Sequence, residues 1–173
     1  MPSVEEIVAK HRARIKDPAI WFTPNIPPKK LQGAIRSYAQ AVSPGDVLML
    51  VDNTVFGGCG DGMLITRDGL YAHYIGGPKA ISIQLIKTVN VVDEDLFING
   101  SKFANLLLVD TGGQANHVKI CWLVTELASG TVSTPPLVIA QPSGGIVSEV
   151  QECLGCGAAV RGLVVCVYCG RRL

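Results

Sequence analysis

Residues 47–109 decide the fold, and they read VLMLVDNTVFGGCGDGMLITRDGLYAHYIGGPKAISIQLIKTVNVVDEDLFINGSKFANLLLV. Short runs of β-branched and aromatic residues alternate here with turn residues, a pattern typical of strands joined by tight turns. Asn99-Gly100 is the strongest hairpin signal, because both positions tolerate positive φ. The pattern predicts a meander of seven antiparallel strands, at residues 47–53, 62–66, 69–74, 78–82, 86–92, 95–98 and 101–109.

Helical patterns precede the strands. Ser3 and Glu6 have the spacing of a capping box, which predicts an amphipathic helix over about residues 3–16 that ends before Pro18. A second apolar stripe at helical spacing occupies residues 31–38.

A third helical pattern follows the strands. Residues 115–128, ANHVKICWLVTELA, carry a wide apolar face, and Gly130 suits a left-handed helix stop. The predicted fold is mainly β within the α+β class: a seven-stranded antiparallel barrel capped by a C-terminal helix.

This order of elements resembles the pleckstrin-homology superfold. The text Asp-Gly-x-x-x-Thr-x-x-Gly-Leu-Tyr and a later Ile-Asn-Gly turn also resemble bacterial pleckstrin-homology-like modules. The matching residues are Asp61, Gly62, Thr66, Gly69, Leu70, Tyr71, Ile98, Asn99 and Gly100. The resemblance covers about residues 31–130 and implies a fold, not a ligand.

Four segments are predicted. Residues 1–45 form an N-terminal helical extension, residues 46–130 the pleckstrin-homology-like domain, residues 131–151 a linker rich in Ser, Thr, Pro and Gly, and residues 152–173 a small metal module. Inside the linker, the apolar run Leu137–Ala140 predicts a strand that docks on a sheet edge of its own chain or of a second copy, which would make a homodimer.

The metal module rests on two CxxC pairs. Cys153 and Cys156 are separated by nine residues from Cys166 and Cys169, a spacing at which four thiolates converge tetrahedrally on one Zn²⁺. Four cysteine ligands leave no position for a catalytic water, so the predicted zinc is structural. Disulfide pairing or free thiols are the alternative, and a reducing compartment disfavours the disulfides.

The tail also resembles the short zinc-ribbon modules of bacterial proteins. The matching text is Cys156-Gly157-Ala158, Cys169-Gly170 and Leu173, with Leu154 and Val165 at positions where the family carries Pro and Phe.

The other cysteines and the histidines predict no reaction. Cys59 stands in GGCGDG, which lacks the Lys-[Ser/Thr] of a phosphate-binding loop and predicts a flexible hairpin tip, while Cys121 is predicted to fill the core. His11, His73 and His117 stand on separate elements without a neighbouring nucleophile motif, and we expect them to be surface or packing residues. The sequence therefore predicts a protein that is not an enzyme.

Charge is distributed unevenly. Residues 1–45 hold seven basic and three acidic residues, whereas residues 46–131 hold five basic and nine acidic ones. Arg67 is the only base in a first hairpin region that also carries Asp52, Asp61 and Asp68, so no phosphoinositide binding is expected.

The composition narrows the class of protein. The chain is 48% hydrophobic and 17% charged, but no apolar run reaches the ~18 residues of a membrane helix. The N-terminus predicts a helix instead of a secretory signal, which favours a cytoplasmic protein that does not associate with a membrane.

The predicted function is an adaptor that binds protein partners through the pleckstrin-homology-like scaffold and the zinc ribbon. The alternative is a nucleic-acid-binding protein that uses the ribbon and the basic N-terminal helix.

Overall fold

Alternating strands and turns produce two antiparallel sheets, with helices against them. The computed structural model describes residues 2–109 and 115–130 and the backbone of residues 150–152 and 159–161. Its helices are α1 (Val4–Arg12), α2 (Pro28–Tyr38) and α3 (Asn116–Ser129). Its strands are β1 (Ile20–Phe22), β2 (Val47–Asp52), β3 (Gly62–Thr66), β4 (Gly69–Tyr74), β5 (Gly77–Ser82), β6 (Val89–Val92), β7 (Asp95–Ile98), β8 (Ser101–Asn105), β9 (Val150–Glu152) and β10 (Ala159–Arg161).

Each of the seven predicted strands overlaps one of β2–β8, but those predicted at 86–92 and 101–109 are shorter in the structure, Val89–Val92 and Ser101–Asn105. Strands β1–β5 form one sheet in sequential order, and β6–β8 form a second sheet in sequential order. Every pairing is antiparallel, so the predicted α+β class is confirmed, and the predicted meander is confirmed within each sheet but not across all seven strands. Strand β1 was not predicted. Its residues lie within the segment 1–45, for which the sequence predicts a helical extension.

The sheets do not join into one closed barrel within the described residues. A 3₁₀ turn at Ile83–Leu85 separates β5 from β6, and no ladder links the two sheets. The break has a local reason, because a 3₁₀ turn changes the direction of the chain and ends the strand pairing. The structure therefore shows a five-stranded and a three-stranded sheet where the sequence predicts a single seven-stranded barrel.

The five-stranded sheet is covered on both faces. All residues of β2 and β3 are buried, as expected for strands that lie between two layers. On one face, α2 packs through Ala34 and Tyr38 against Leu50 and Leu64. On the other face lies the larger core, shared with α1, α3 and the second sheet; its fully buried residues include Met49, Val51, Met63, Ile65, Leu70, Leu96, Leu106, Ile120 and Leu123.

The predicted turns and caps have their expected geometry. The amide of Ser3 donates to Glu6 Oε2 over 2.7 Å and the amide of Glu6 donates to Ser3 Oγ over 3.2 Å, which completes the capping box. Asn99 and Gly100 both have positive φ, and Gly130 ends α3 with a φ of 58°.

Helix α1 ends at Arg12, earlier than predicted, because the chain turns at His11. The carbonyl of His11 accepts hydrogen bonds from the amides of both Arg14 and Ile15.

Candidate interaction surface

A partly buried ion pair lies beneath the β2–β3 connection. Asp52 is the last residue of β2, and Lys30 Nζ from α2 lies 2.7 Å from Asp52 Oδ2. Burial raises the pKa of Asp52, but the hydrogen bonds from Lys30 and Thr54 outweigh it and hold that pKa below its usual value. The carboxylate therefore stays charged and accepts hydrogen bonds from Lys30 and Thr54.

The connection is bound to this pair and to α2. Thr54 donates to Asp52 Oδ1 through its amide over 3.0 Å and through its hydroxyl over 2.5 Å. Lys30 also donates to the carbonyl of Gly57 over 3.0 Å, and Ser37 on α2 donates to the carbonyl of Gly60 over 2.7 Å. The connection is thus held at several points, in contrast to the flexible tip that the sequence predicts.

Two residues fix how closely α2 approaches the connection. A Cβ on Gly33 would clash with the carbonyl oxygen of Gly58, so only glycine permits this contact. Cys59 is fully buried against α2 with a φ of 52°. Lys30 Nζ lies 4.6 Å from the centroid of the Trp21 ring, which ties β1 to the same arrangement.

The thiol of Cys59 is unsuited to nucleophilic chemistry. Burial, together with the nearby Asp52 charge, raises its pKa to about 12, so the thiolate is scarce at neutral pH. Burial likewise raises the pKa of Cys121 on α3 to about 11, and this residue packs in the core as predicted.

Above this anchored base, the connection exposes large apolar side chains. Val55 is 81% exposed and Phe56 is 99% exposed. Because β2–β5 are sequential antiparallel neighbours, the β4–β5 turn lies at the same end of the sheet, and its Ile75 is 84% exposed. Leu107 is 56% exposed, and the amide of its neighbour Leu108 donates to Asn53 Oδ1 over 2.9 Å. We call these four residues, Val55, Phe56, Ile75 and Leu107, the loop-end surface.

A chain of polar contacts connects this end to the second sheet. Asn53 donates to Asn105 Oδ1 over 3.0 Å, and Asn105 in turn donates to Asp95 Oδ1 over 2.7 Å. Lys102 Nζ lies 2.6 Å from Asp95 Oδ2 and 4.2 Å from the centroid of the Tyr74 ring. These contacts link the two sheets. They also hold the β2–β3 connection at Asn53 and the β4–β5 turn at Tyr74.

A histidine and a tyrosine lie under the same end of the sheet. His73 on β4 pairs with Asp61 and stacks on Tyr38 of α2, with ring centroids 6.3 Å apart. Burial raises the pKa of Tyr38, and its hydroxyl has no hydrogen-bond partner among the described residues. This cluster packs α2 onto the sheet.

A buried polar cluster joins α1 to α3, and sequence reasoning missed it. Glu126 is 4% exposed and His11 is 3% exposed. His11 Nε2 lies 2.8 Å from Glu126 Oε2, and Lys10 Nζ lies 2.8 Å from Glu126 Oε1. The only sequence signal is a glutamate on the apolar stripe of α3, a position where a charge requires a partner.

Arg67, weighed above as an anion ligand, already has two carboxylate partners. Its guanidinium pairs with Glu5 of α1 and lies 2.8 Å from Asp46. It stands in the β3–β4 turn, at the opposite end of the sheet from the loop-end surface.

The predicted zinc ligands Cys153, Cys156, Cys166 and Cys169 lie outside the described residues. Within the described ranges, no group of three or more His, Cys, Asp or Glu residues is arranged to hold a metal ion. The antiparallel pair β9–β10, with Glu152 opposite Ala159, brackets the sequence that contains Cys153 and Cys156. The strand predicted at Leu137–Ala140 also lies outside the described part of the chain.

No family model, curated protein or solved structure matches this chain. In the part of the chain that the structure describes, no helix has both the length and the apolar character needed to span a membrane.

Proposed function

We propose that this chain is a non-enzymatic binding protein that docks a protein partner through the loop-end surface. The observation that carries the proposal is the nearly complete exposure of Phe56, beside exposed Val55, on a connection anchored by the Asp52–Lys30 pair. Large apolar side chains exposed together are typical of interaction sites.

The anchored base favours binding in a second way. Each large apolar side chain that a partner fully buries contributes about 1.5–3 kcal/mol. The cost of ordering a loop reduces this gain, and a connection already held by Thr54, Gly57 and Gly60 loses less entropy on binding.

The scaffold proposed for this role is pleckstrin-homology-like. Four strands, β2–β5, precede three strands, β6–β8, and then one helix, α3, which contacts β6 and β7. This succession is similar to the order of elements in the superfold, with β1 and α2 as additions. We propose no phosphoinositide site, because Arg67 is already engaged by Glu5 and Asp46.

The C-terminal segment is proposed to be a structural zinc ribbon that adds a second protein contact. The paired CxxC motifs support this, and so does the β9–β10 pair around Cys153 and Cys156. Nucleic-acid binding receives less support, because two of the N-terminal bases, Lys10 and Lys30, already pair with Glu126 and Asp52.

Site-specific crosslinking in the native host tests the main proposal. A photoreactive phenylalanine analogue at position 56 is expected to crosslink to one protein, while the same analogue at position 85 does not. Leu85 is the matched control, because it is 63% exposed but follows β5 at the opposite end of the sheet.

Calorimetry with that partner, once purified, provides the decisive measurement. Phe56→Ser is expected to weaken binding by about tenfold or more, and Leu85→Ser to leave it unchanged. Equal losses from both variants, or position-56 crosslinks only to lipid or nucleic acid, would show that the proposal is wrong.

A further inference from the structure

A second surface, independent of the loop-end surface, lies on the outer face of α2. Helical spacing aligns Pro28, Leu31 and Ile35 along this face, and Pro44 closes one side, forming an open groove of about 480 Å³. Ala34 and Tyr38 form the buried face of α2, while Ile35 and Leu31 are only partly buried, Leu31 packing against the edge of the same core cluster. We call this feature the α2 groove.

Two positive charges flank the apolar floor. Lys29 and Arg36 line the groove, both are exposed, and neither pairs with a carboxylate among the described residues. The first turn of α2 contains no acidic residue, and Asp46, which follows Pro44 closely, is engaged by Arg67. The groove therefore combines apolar surface with uncompensated positive charge.

We infer that the α2 groove binds an acidic peptide segment of a partner protein, with an apolar side chain between carboxylates. Lys29 and Arg36 are seven residues apart, which places their attachment points on one side of the helix about 10 Å apart along its axis. Carboxylates at a similar separation in the peptide would reach both cations while the apolar side chain contacts Leu31 and Ile35. The charge complementarity accounts for specificity and for a salt-dependent association rate.

Selection from a random peptide display library on the full-length chain provides the probe. The enriched peptides are expected to carry Asp or Glu on both sides of a Leu, Ile, Phe or Met. Enrichment of neutral or basic peptides, or no enrichment, would overturn the inference.

Fluorescence anisotropy of the best enriched peptide then locates its site. The double variant Lys29→Glu, Arg36→Glu is expected to weaken binding at least tenfold, and Ile35→Ser severalfold, both with unchanged far-UV circular dichroism. The matched control is Lys16→Glu, Lys87→Glu, which reverses two exposed lysines that have no ion-pair partner in the described residues. Equal weakening by this control would show that the effect comes from net charge alone, and the inference that the peptide binds in the α2 groove would be wrong.

Two further arms separate this inference from its rivals. Phe56→Ser is expected to leave peptide affinity unchanged, so the α2 groove can fail or hold independently of the loop-end surface. A DNA or RNA oligonucleotide that binds through Lys29 and Arg36 and displaces the peptide would show instead a nucleic-acid site, and the peptide inference would be wrong.

Discussion

Single residues determine how the β2–β3 connection meets α2. Gly33 lies in a helix, where glycine is unfavourable by about 1 kcal/mol relative to alanine. Its place is explained by the carbonyl of Gly58, which occupies the space that a Cβ would need. Intrinsic helix propensity and local packing therefore favour opposite residues at this position, and packing prevails because the obstructing atom is backbone and cannot rotate away.

We expect Gly33→Ala to destabilise the protein by about 1–3 kcal/mol, the usual cost of overpacking, despite its better helix propensity. Urea denaturation measures the change. Gly45→Ala is the control, because a Cβ there meets no atom within 4 Å. A Gly33→Ala protein as stable as the wild type would contradict the close approach of α2.

At the scale of elements, the attachment of α1 depends on a buried charge cluster. Burial lowers the pKa of His11, while the hydrogen bond to Glu126 only partly opposes this effect. His11 Nε2–H donates to the Glu126 carboxylate. Nδ1 has no hydrogen-bond partner among the described residues, so a proton on Nδ1 would have no acceptor. The folded protein therefore favours neutral His11 between α1 and α3 over the protonated form.

Stability is expected to fall as the pH decreases from about 6.5, the ordinary pKa of histidine, toward the lower pKa of folded His11. In that range the unfolded chain binds a proton that the folded chain does not, which costs at most about 1.4 kcal/mol per pH unit. Thermal melts between about pH 7.5 and 5.5 measure the slope, above the range in which carboxylates titrate.

The variant that tests this origin is His11→Gln, which keeps a donor for Glu126 but does not titrate. We expect its melting temperature to depend less on pH across the same range. An unchanged slope would assign the effect to other groups.

The C-terminal module yields a prediction at the same scale. We expect one zinc per chain by elemental analysis, and Cys156→Ser to release it while the melting transition of the main domain changes little. Cys121→Ala, which alters a cysteine buried in α3, should retain the metal. A reduced, metal-free wild-type protein whose C-terminal segment resists protease would contradict the zinc site.

For the whole molecule, assembly depends on the strand edges that the sheets leave unpaired. Strands β1 and β5 are the edges of the five-stranded sheet, and β1 has only three residues. Strand β5 contains Pro78 and Lys79, residues that commonly discourage pairing at an edge. An additional strand that joins this sheet would therefore meet either a short edge or a protected one, while the three-stranded sheet offers two further edges, β6 and β8.

The sequence nevertheless predicts that Leu137–Ala140 docks on an edge of its own chain or of a second copy, and light scattering tests the second arrangement, a homodimer. The double variant Val138→Asp, Ile139→Asp is expected to reduce the mass from dimer to monomer. Equal monomer masses for both proteins, together with free amide exchange in this segment, would contradict the prediction.

Local pattern alone determined the elements of this protein: the strands β2–β8, the Asn99-Gly100 turn, the Ser3–Glu6 capping box and the Gly130 stop. Each depends on residues close in sequence, whose periodicity and φ preferences act before any long-range contact forms. The spacing of the four C-terminal cysteines likewise predicts zinc without reference to the rest of the chain.

Only the tertiary structure decided how these elements meet. Ile20–Phe22 is too short and too close to prolines to indicate a strand, and it becomes one because β2 offers an edge. Asp52 with Lys30, and Glu126 with His11, are pairs separated by 22 and 115 residues, which no periodic pattern connects. The loop-end surface depends on the Asp52–Lys30 pair, and the α2 groove depends on which side of α2 the sheet covers, so both follow from packing between distant segments and not from local preference.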